Sequence, residues 1–82
     1  MDEKIPLSVA IITKNEAANL SGCLESVAFA GQVVVVDSGS DDGTPEIARG
    51  FGCDVFIEDW KGFGRQKQAA IDRCREPWVL VL

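Results

Sequence analysis

The segment Val33-Val34-Val35-Val36-Asp37-Ser38-Gly39-Ser40-Asp41-Asp42-Gly43-Thr44-Pro45 (VVVVDSGSDDGTP) changes character abruptly in its middle. Four consecutive valines show no alternation of apolar and polar residues, which marks a strand covered on both faces and hence a parallel sheet. The strand ends in Asp37 and a run of turn formers. Thr44 followed by Pro45 then reads as a helix N-cap with proline at the first helical position. The expected helix continues through Glu46, Ile47, Ala48 and Phe51 and stops at Gly52.

The same unit recurs on either side. Upstream, Ile5 to Ile12 (IPLSVAII) is short, apolar and rich in β-branched residues, so it reads as a buried strand. Thr13-Lys14-Asn15-Glu16 breaks it, and Ala17, Leu20, Cys23, Leu24 and Val27 then follow at helical spacing. Gly31 is expected to close this unit. Downstream, Cys53 to Ile57 reads as a third strand and Glu58 to Gly64 (EDWKGFG) as a loop. Phe63, Ala70, Ile71 and Cys74 are expected on one face of a helix ended by Glu76-Pro77. Trp78 to Leu82 (WVLVL) is a final apolar strand.

The order is β-α-β-α-β-α-β with short connections. Alternation of this kind gives an α/β fold of three layers, a parallel sheet with right-handed crossovers and helices on both faces. All strands then end on the same edge, where open sheets bind ligands. The polar clusters 13–16, 37–43 and 58–64 follow the first three strands and so share that edge. Asp37 would present a carboxylate able to accept from a ribose hydroxyl or a base N–H. The competing reading makes 37–42 a polar turn that caps the next helix, with Asp41 or Asp42 favouring its dipole.

Composition narrows the classes. Eight Lys and Arg against thirteen Asp and Glu give a formal charge of −5, which disfavours a nucleic-acid partner. The basic residues Lys61, Arg65, Lys67, Arg73 and Arg75 are crowded together, either facing an anionic ligand or forming a solvated helix face. Cys23, Cys53 and Cys74 have no zinc-type spacing and suit buried thiols in a reducing compartment. No apolar run is long enough to span a membrane, and polar Met1-Asp2-Glu3-Lys4 lacks a signal-peptide core, so a cytoplasmic location is expected. No histidine is present, which excludes His-dependent acid–base or triad chemistry. There is no GxGxxG after the first strand, no Walker loop and no GxSxG, and Glu16 with Asp59 poorly matches a phospho-receiver site.

The motifs Asn15-Glu16, Leu20-Ser21-Gly22-Cys23-Leu24-Glu25-Ser26 and Val35-Val36-Asp37-Ser38-Gly39-Ser40-Asp41-Asp42-Gly43-Thr44 resemble the opening of family 2 inverting glycosyltransferases of the GT-A fold. GFGRQKQAAIDRC and WVLVL resemble the family's next helix and strand. VVDSGS joined to GFGxQK is most similar to bacterial lipopolysaccharide core members of the β-1,4-glucosyltransferase-like group. The resemblance implies a partial GT-A (Rossmann-like) fold with strand order 3-2-1-4. It also implies transfer from a nucleoside-diphosphate sugar to a carbohydrate acceptor such as lipopolysaccharide.

By match, Thr13, Asn15, Glu16 and Asp37 are expected to bind the nucleotide. Ser38 stands where many members carry a second acid that contacts the base. Arg65 and Lys67 are expected to approach the diphosphate, the alternative being solvated helix charges. The family's DxD-like motif follows the strand matched by WVLVL. Residues 1–82 therefore read as the N-terminal nucleotide-binding half of the domain, with no catalytic or metal-binding residue in it. The divalent cation (Mg2+ or Mn2+) belongs to the full-length enzyme, which the resemblance leaves cytoplasmic or peripheral to the inner membrane, and the fragment alone is expected to be inactive. An open edge at Trp78–Leu82 is expected to invite self-association. The alternative function is a non-catalytic α/β binding or interaction module.

Overall fold

The computed structural model describes residues 4–82; the polar Met1-Asp2-Glu3 of the sequence reading lies outside the described residues. The elements run β1 (Ile5–Thr13), α1 (Ala17–Ser26), β2 (Ala30–Asp37), α2 (Thr44–Gly50), β3 (Asp54–Ile57), α3 (Phe63–Asp72) and β4 (Trp78–Val81). The four strands form one sheet in the order β3-β2-β1-β4, every pair parallel. Both the alternation and the strand order match the sequence expectation.

Strand periodicity sorts the core into two layers. Val9, Ile11 and Val35 pack with Leu20, Leu24, Val27 and Ala48 on the α1/α2 side. Ala10, Val34 and Val36 turn the other way and pack with Ala70 of α3. Val34, Val35 and Val36 are fully buried, as a two-sided strand requires. A Val or Leu in such a place contributes about 1.5–3 kcal/mol by burial. The layers are unequal, because α3 covers β1 and β2 whereas every residue of β4 stays exposed, from 38% at Val81 to 70% at Trp78.

Several boundaries differ from the sequence reading. Gly31 does not close the first unit; it lies inside β2, which already begins at Ala30. Its lack of a side chain serves close approach: a Cβ there would stand 2.8 Å from the Ile5 carbonyl oxygen. Helix α3 starts within the loop expected over 58–64 and ends at Asp72, so Cys74 follows the helix, and Phe63 is 69% exposed instead of joining the core face. The buried residue of its first turn is Gln66. All three cysteines are free and half-buried. Burial, then the neighbouring Asp54 and Cys23, pushes the Cys53 thiol up to about 11, so it stays protonated and inert at neutral pH.

At the amino edge of the sheet a buried polar network ties the last crossover down. Ser8 Oγ donates to Gln32 Oε1 (2.6 Å), and the Arg75 amide donates to the same oxygen (2.8 Å). Gln32 Nε2 donates to Asp54 Oδ2 (2.8 Å) and to the Arg73 carbonyl (3.2 Å), while the Glu76 amide donates to Ser8 Oγ (3.1 Å). This network fixes where the chain leaves α3 and enters β4.

Gly31→Ala is expected to destabilise the chain by roughly 1–3 kcal/mol, because the obstacle is backbone and cannot rotate away. Urea denaturation checks this, and an unchanged midpoint would show that the strand ends separate at little cost.

Candidate functional site: a cleft at the carboxyl edge of the sheet

Register brings the strand ends together. Thr13 is paired with Asp37, and Asp37 with Ile57, so the loops after β1, β2 and β3 leave the sheet side by side. Two backbone bonds extend the ladder beyond the strands, from the Ser38 amide to the Thr13 carbonyl (3.1 Å) and from the Glu58 amide to the Asp37 carbonyl (2.9 Å). All three polar clusters thus occupy one edge.

Asp37 is placed differently from the carboxylate offered to a ligand in the sequence reading. It is fully buried. Its Oδ1 accepts from the Thr13 hydroxyl (2.6 Å) and the Ser40 hydroxyl (2.6 Å), and its Oδ2 from the amides of Gly39 (2.9 Å) and Ser40 (2.7 Å). A carboxylate has about four acceptor positions, and here the protein fills them. Burial works against ionisation, but the Ser40 hydroxyl and amide, the Thr13 hydroxyl and the Gly39 amide outweigh it. Together they hold the group below the usual aspartate range.

Asn15 and Asp42 bind the first two loops to each other. Asn15 takes the left-handed backbone at φ 53°, which asparagine tolerates better than most residues. Its amide donates to Ser40 Oγ (2.6 Å), and its Oδ1 accepts from the Asp41 amide (2.9 Å). Glu16 stands at the α1 N-cap without a side-chain cap. Caps come instead from across the loops: the Ala17 amide donates to Asp42 Oδ2 (3.0 Å) and the Glu16 amide to Thr44 Oγ1 (2.9 Å). Asp42 Oδ1 also accepts from the Thr44 amide (3.1 Å) and hydroxyl, so Asp42 serves the starts of two helices, and Gly43 stands at the α2 N-cap where the sequence suggested Thr44. The Thr44 hydroxyl foremost holds the Asp42 carboxyl below its ordinary value.

The third loop is held from α3. Gln66, almost completely buried, accepts from the Lys61 amide (3.2 Å) and donates to the Glu58 carbonyl (3.4 Å). Lys61 and Arg73 both pair with Glu58, and Arg73 lies over the Phe56 ring at 4.5 Å. The Lys61 hydrogen bond is the largest influence keeping the Glu58 carboxyl low. Arg75 pairs with Asp54 and Glu76. Three cations of the basic stretch are therefore turned toward carboxylates.

Between these loops lies a cleft of about 470 Å3 lined by Ile12, Thr13, Lys14, Glu16, Ser38, Trp60 and Phe63. That volume suits a small ligand or cofactor. Ser38 Oγ donates to the Thr13 carbonyl (3.3 Å) and keeps its acceptor positions for a ligand. The Glu16 carboxylate is exposed and forms no hydrogen bond or ion pair among the described residues. Arg65 and Lys67 are exposed on α3 and do not line this cleft. Trp60 and Phe63 do line it; the sequence placed both in a polar loop or on a core face, and a pair of aromatics in a glycine-flanked loop was the signal for them. No group of three or more His, Cys, Asp or Glu among the described residues could hold a metal ion. Asp37 and Asp42 of this edge do not fit one, since their oxygens are already spent on hydrogen bonds.

Residues 8–82, all but the first seven residues of the chain, match the sequence profile of glycosyl transferase family 2. The chain belongs to that family. It is 41% identical over 83 residues to the lipopolysaccharide core biosynthesis glycosyltransferase LpsC of Rhizobium meliloti (strain 1021), covering 95% of this chain and 31% of that protein. An uncharacterized glycosyltransferase of Rickettsia bellii (strain RML369-C) is 43% identical over 75 residues, 90% of this chain and 26% of its own length. The low-salt glycan biosynthesis hexosyltransferase Agl6 of Haloferax volcanii is 40% identical over 80 residues, 89% of this chain and 19% of its own. The chain thus spans less than a third of each of these relatives. No solved structure matches it. No helix among the described residues is long and apolar enough to cross a membrane.

Asp37→Asn tests the hub. The hydroxyls of Thr13 and Ser40 can rotate to accept from the new amide, so the loss is the charge assistance, roughly 1.5–3 kcal/mol at pH 7. Because the folded-state pKa is depressed, the wild-type advantage is complete above the ordinary aspartate value of 3.8. It closes as pH falls through the lower folded-state value. Urea titrations of both proteins at pH 7 and pH 3 measure the gap, and a gap that widened in acid would contradict this assignment.

Proposed function

We propose that the chain forms the nucleotide-binding part of a glycosyltransferase that transfers a sugar, in this reading a hexose, from a nucleoside-diphosphate donor. The acceptor is a lipopolysaccharide or another polysaccharide. The observation that carries this reading is the convergence of the first three strand ends on one cleft, in a chain whose family is glycosyl transferase family 2. Similarity to LpsC and to Agl6 supports a glycan acceptor and a hexose donor.

Within the cleft Ser38, Glu16 and Thr13 are the groups assigned to the nucleoside. Ser38 offers acceptor positions, and Glu16 can accept from a ribose hydroxyl or a base N–H. Asp37 and Asn15 act one step back, holding the loops that carry them. Arg65 and Lys67 are assigned to the diphosphate as it leaves the cleft toward α3. Residues 1–82 make up the N-terminal half of the domain in this proposal. The divalent cation, Mg2+ or Mn2+, and the catalytic groups belong to other parts of a longer protein acting in the cytoplasm or at the inner membrane surface. The isolated chain is then inactive in transfer.

Titrating 15N-labelled chain with UDP-glucose and other nucleoside-diphosphate sugars checks the reading. Shift changes are expected at Thr13–Glu16, Ser38 and the 60–63 loop. Changes confined to the opposite edge, around Gln32 and Arg75, would refute it.

We also assign self-association to β4, whose apolar residues are exposed on a strand paired on one side to β1. Such an edge offers unpaired N–H and C=O groups to another copy. Sedimentation velocity at rising concentration is expected to show oligomers that Leu80→Lys reduces. A strictly monomeric wild-type chain at millimolar concentration would rule this out.

A further inference from the structure

We infer that Trp60 supplies the stacking face for the nucleobase, with Phe63 as its buttress; this rests on the donor-site reading above. Trp60 and Phe63 are 52% and 69% exposed, so neither is held by the core. They are nevertheless fixed relative to each other, with ring centroids 4.9 Å apart at 88°, an edge-to-face pair. The loop beneath them is tied by Gln66 to the Lys61 amide and the Glu58 carbonyl, and by Glu58 to Lys61 and Arg73. A buried glutamine and two ion pairs thus hold the loop that carries an aromatic pair more than half exposed to water, and neither ring belongs to either core cluster. A flat ligand repays that arrangement.

The composition of the cleft identifies which end of a nucleoside-diphosphate sugar this is. One wall is apolar, formed by Ile12, Trp60 and Phe63. Thr13, Ser38 and Glu16 contribute the polar atoms, and Lys14 is the one cation in the lining. Lys14 Nζ already donates to the Gly39 carbonyl at 2.9 Å. A diphosphate would meet the Glu16 carboxylate there with little compensating charge. A nucleobase has what the walls ask for, a π face for the aromatics and N–H groups on its edge for Ser38 and Glu16. Stacking tolerates any base, so selectivity among bases falls to Ser38 and Glu16.

The chain has two tryptophans, and Trp78 lies on β4 outside the cleft lining, so Trp78→Phe leaves Trp60 as the sole indole reporter. In that background UDP is expected to quench Trp60 emission. Trp60→Ala, followed by 15N shift mapping, is expected to weaken UDP by about tenfold or more, and Trp60→Phe by less. Inorganic pyrophosphate and glucose 1-phosphate are expected to bind both variants and wild type alike. If Trp60→Ala binds UDP as wild type does, with the Thr13 and Ser38 shifts retained, the stacking inference is wrong while the donor site stands. If glucose 1-phosphate is the ligand lost, the aromatic wall takes the sugar and the inference is overturned. If wild-type chain shows no UDP-induced shift at these loops, the donor-site reading fails and the inference with it.

Discussion

Four donors converge on one carboxylate at the end of the central strand pair. Two are hydroxyls, from Thr13 on β1 and Ser40 in the following loop; two are backbone amides, from Gly39 and Ser40. Each bond is charge-assisted and sheltered from water, and therefore stronger than its neutral counterpart. Through Ser40 the hub reaches Asn15, and through Asn15 and Asp42 it reaches the start of α1. The loops after β1 and β2 are thus fixed to each other by bonds within the chain.

The opposite edge serves the cleft at a distance. The Gln32 side chain, with Ser8 and the backbone of 73–76, anchors the far end of α3. That anchor sets where the near end of the helix stands, and Gln66 in its first turn then sets the loop bearing Trp60. Two buried glutamines, at opposite ends of the same layer, hold the third loop in place. Neither leaves its amide oxygen or nitrogen without a hydrogen-bond partner, as buried polar side chains require.

Much of the fold was legible because strand periodicity and turn chemistry agree along the chain. The four valines, the glycine-rich loop after them and Thr44-Pro45 left little choice but a parallel unit, and the family resemblance supplied the strand order that the pairing shows. The polar clusters were correctly sent to one edge for the same reason. What sequence could not show is which way a polar side chain turns. Asp37 and Asn15 look like ligand-binding groups in a loop, yet each finds partners more than twenty residues away in the chain, or in its own turn. Phe63 and Gln66 exchange the positions that hydropathy would assign them, because the loop amide and carbonyl need a buried polar partner more than the helix needs another apolar contact.

The central claim is that Asp37 is an ionised, saturated hub. The direct measurement is its side-chain carboxyl 13C shift followed against pH in labelled protein. The account predicts a midpoint below the ordinary aspartate value of 3.8, with the Gly39 and Ser40 amide shifts moving in the same transition. A midpoint above that value would mean that burial outweighs the four donors, and the hub would not exist as described.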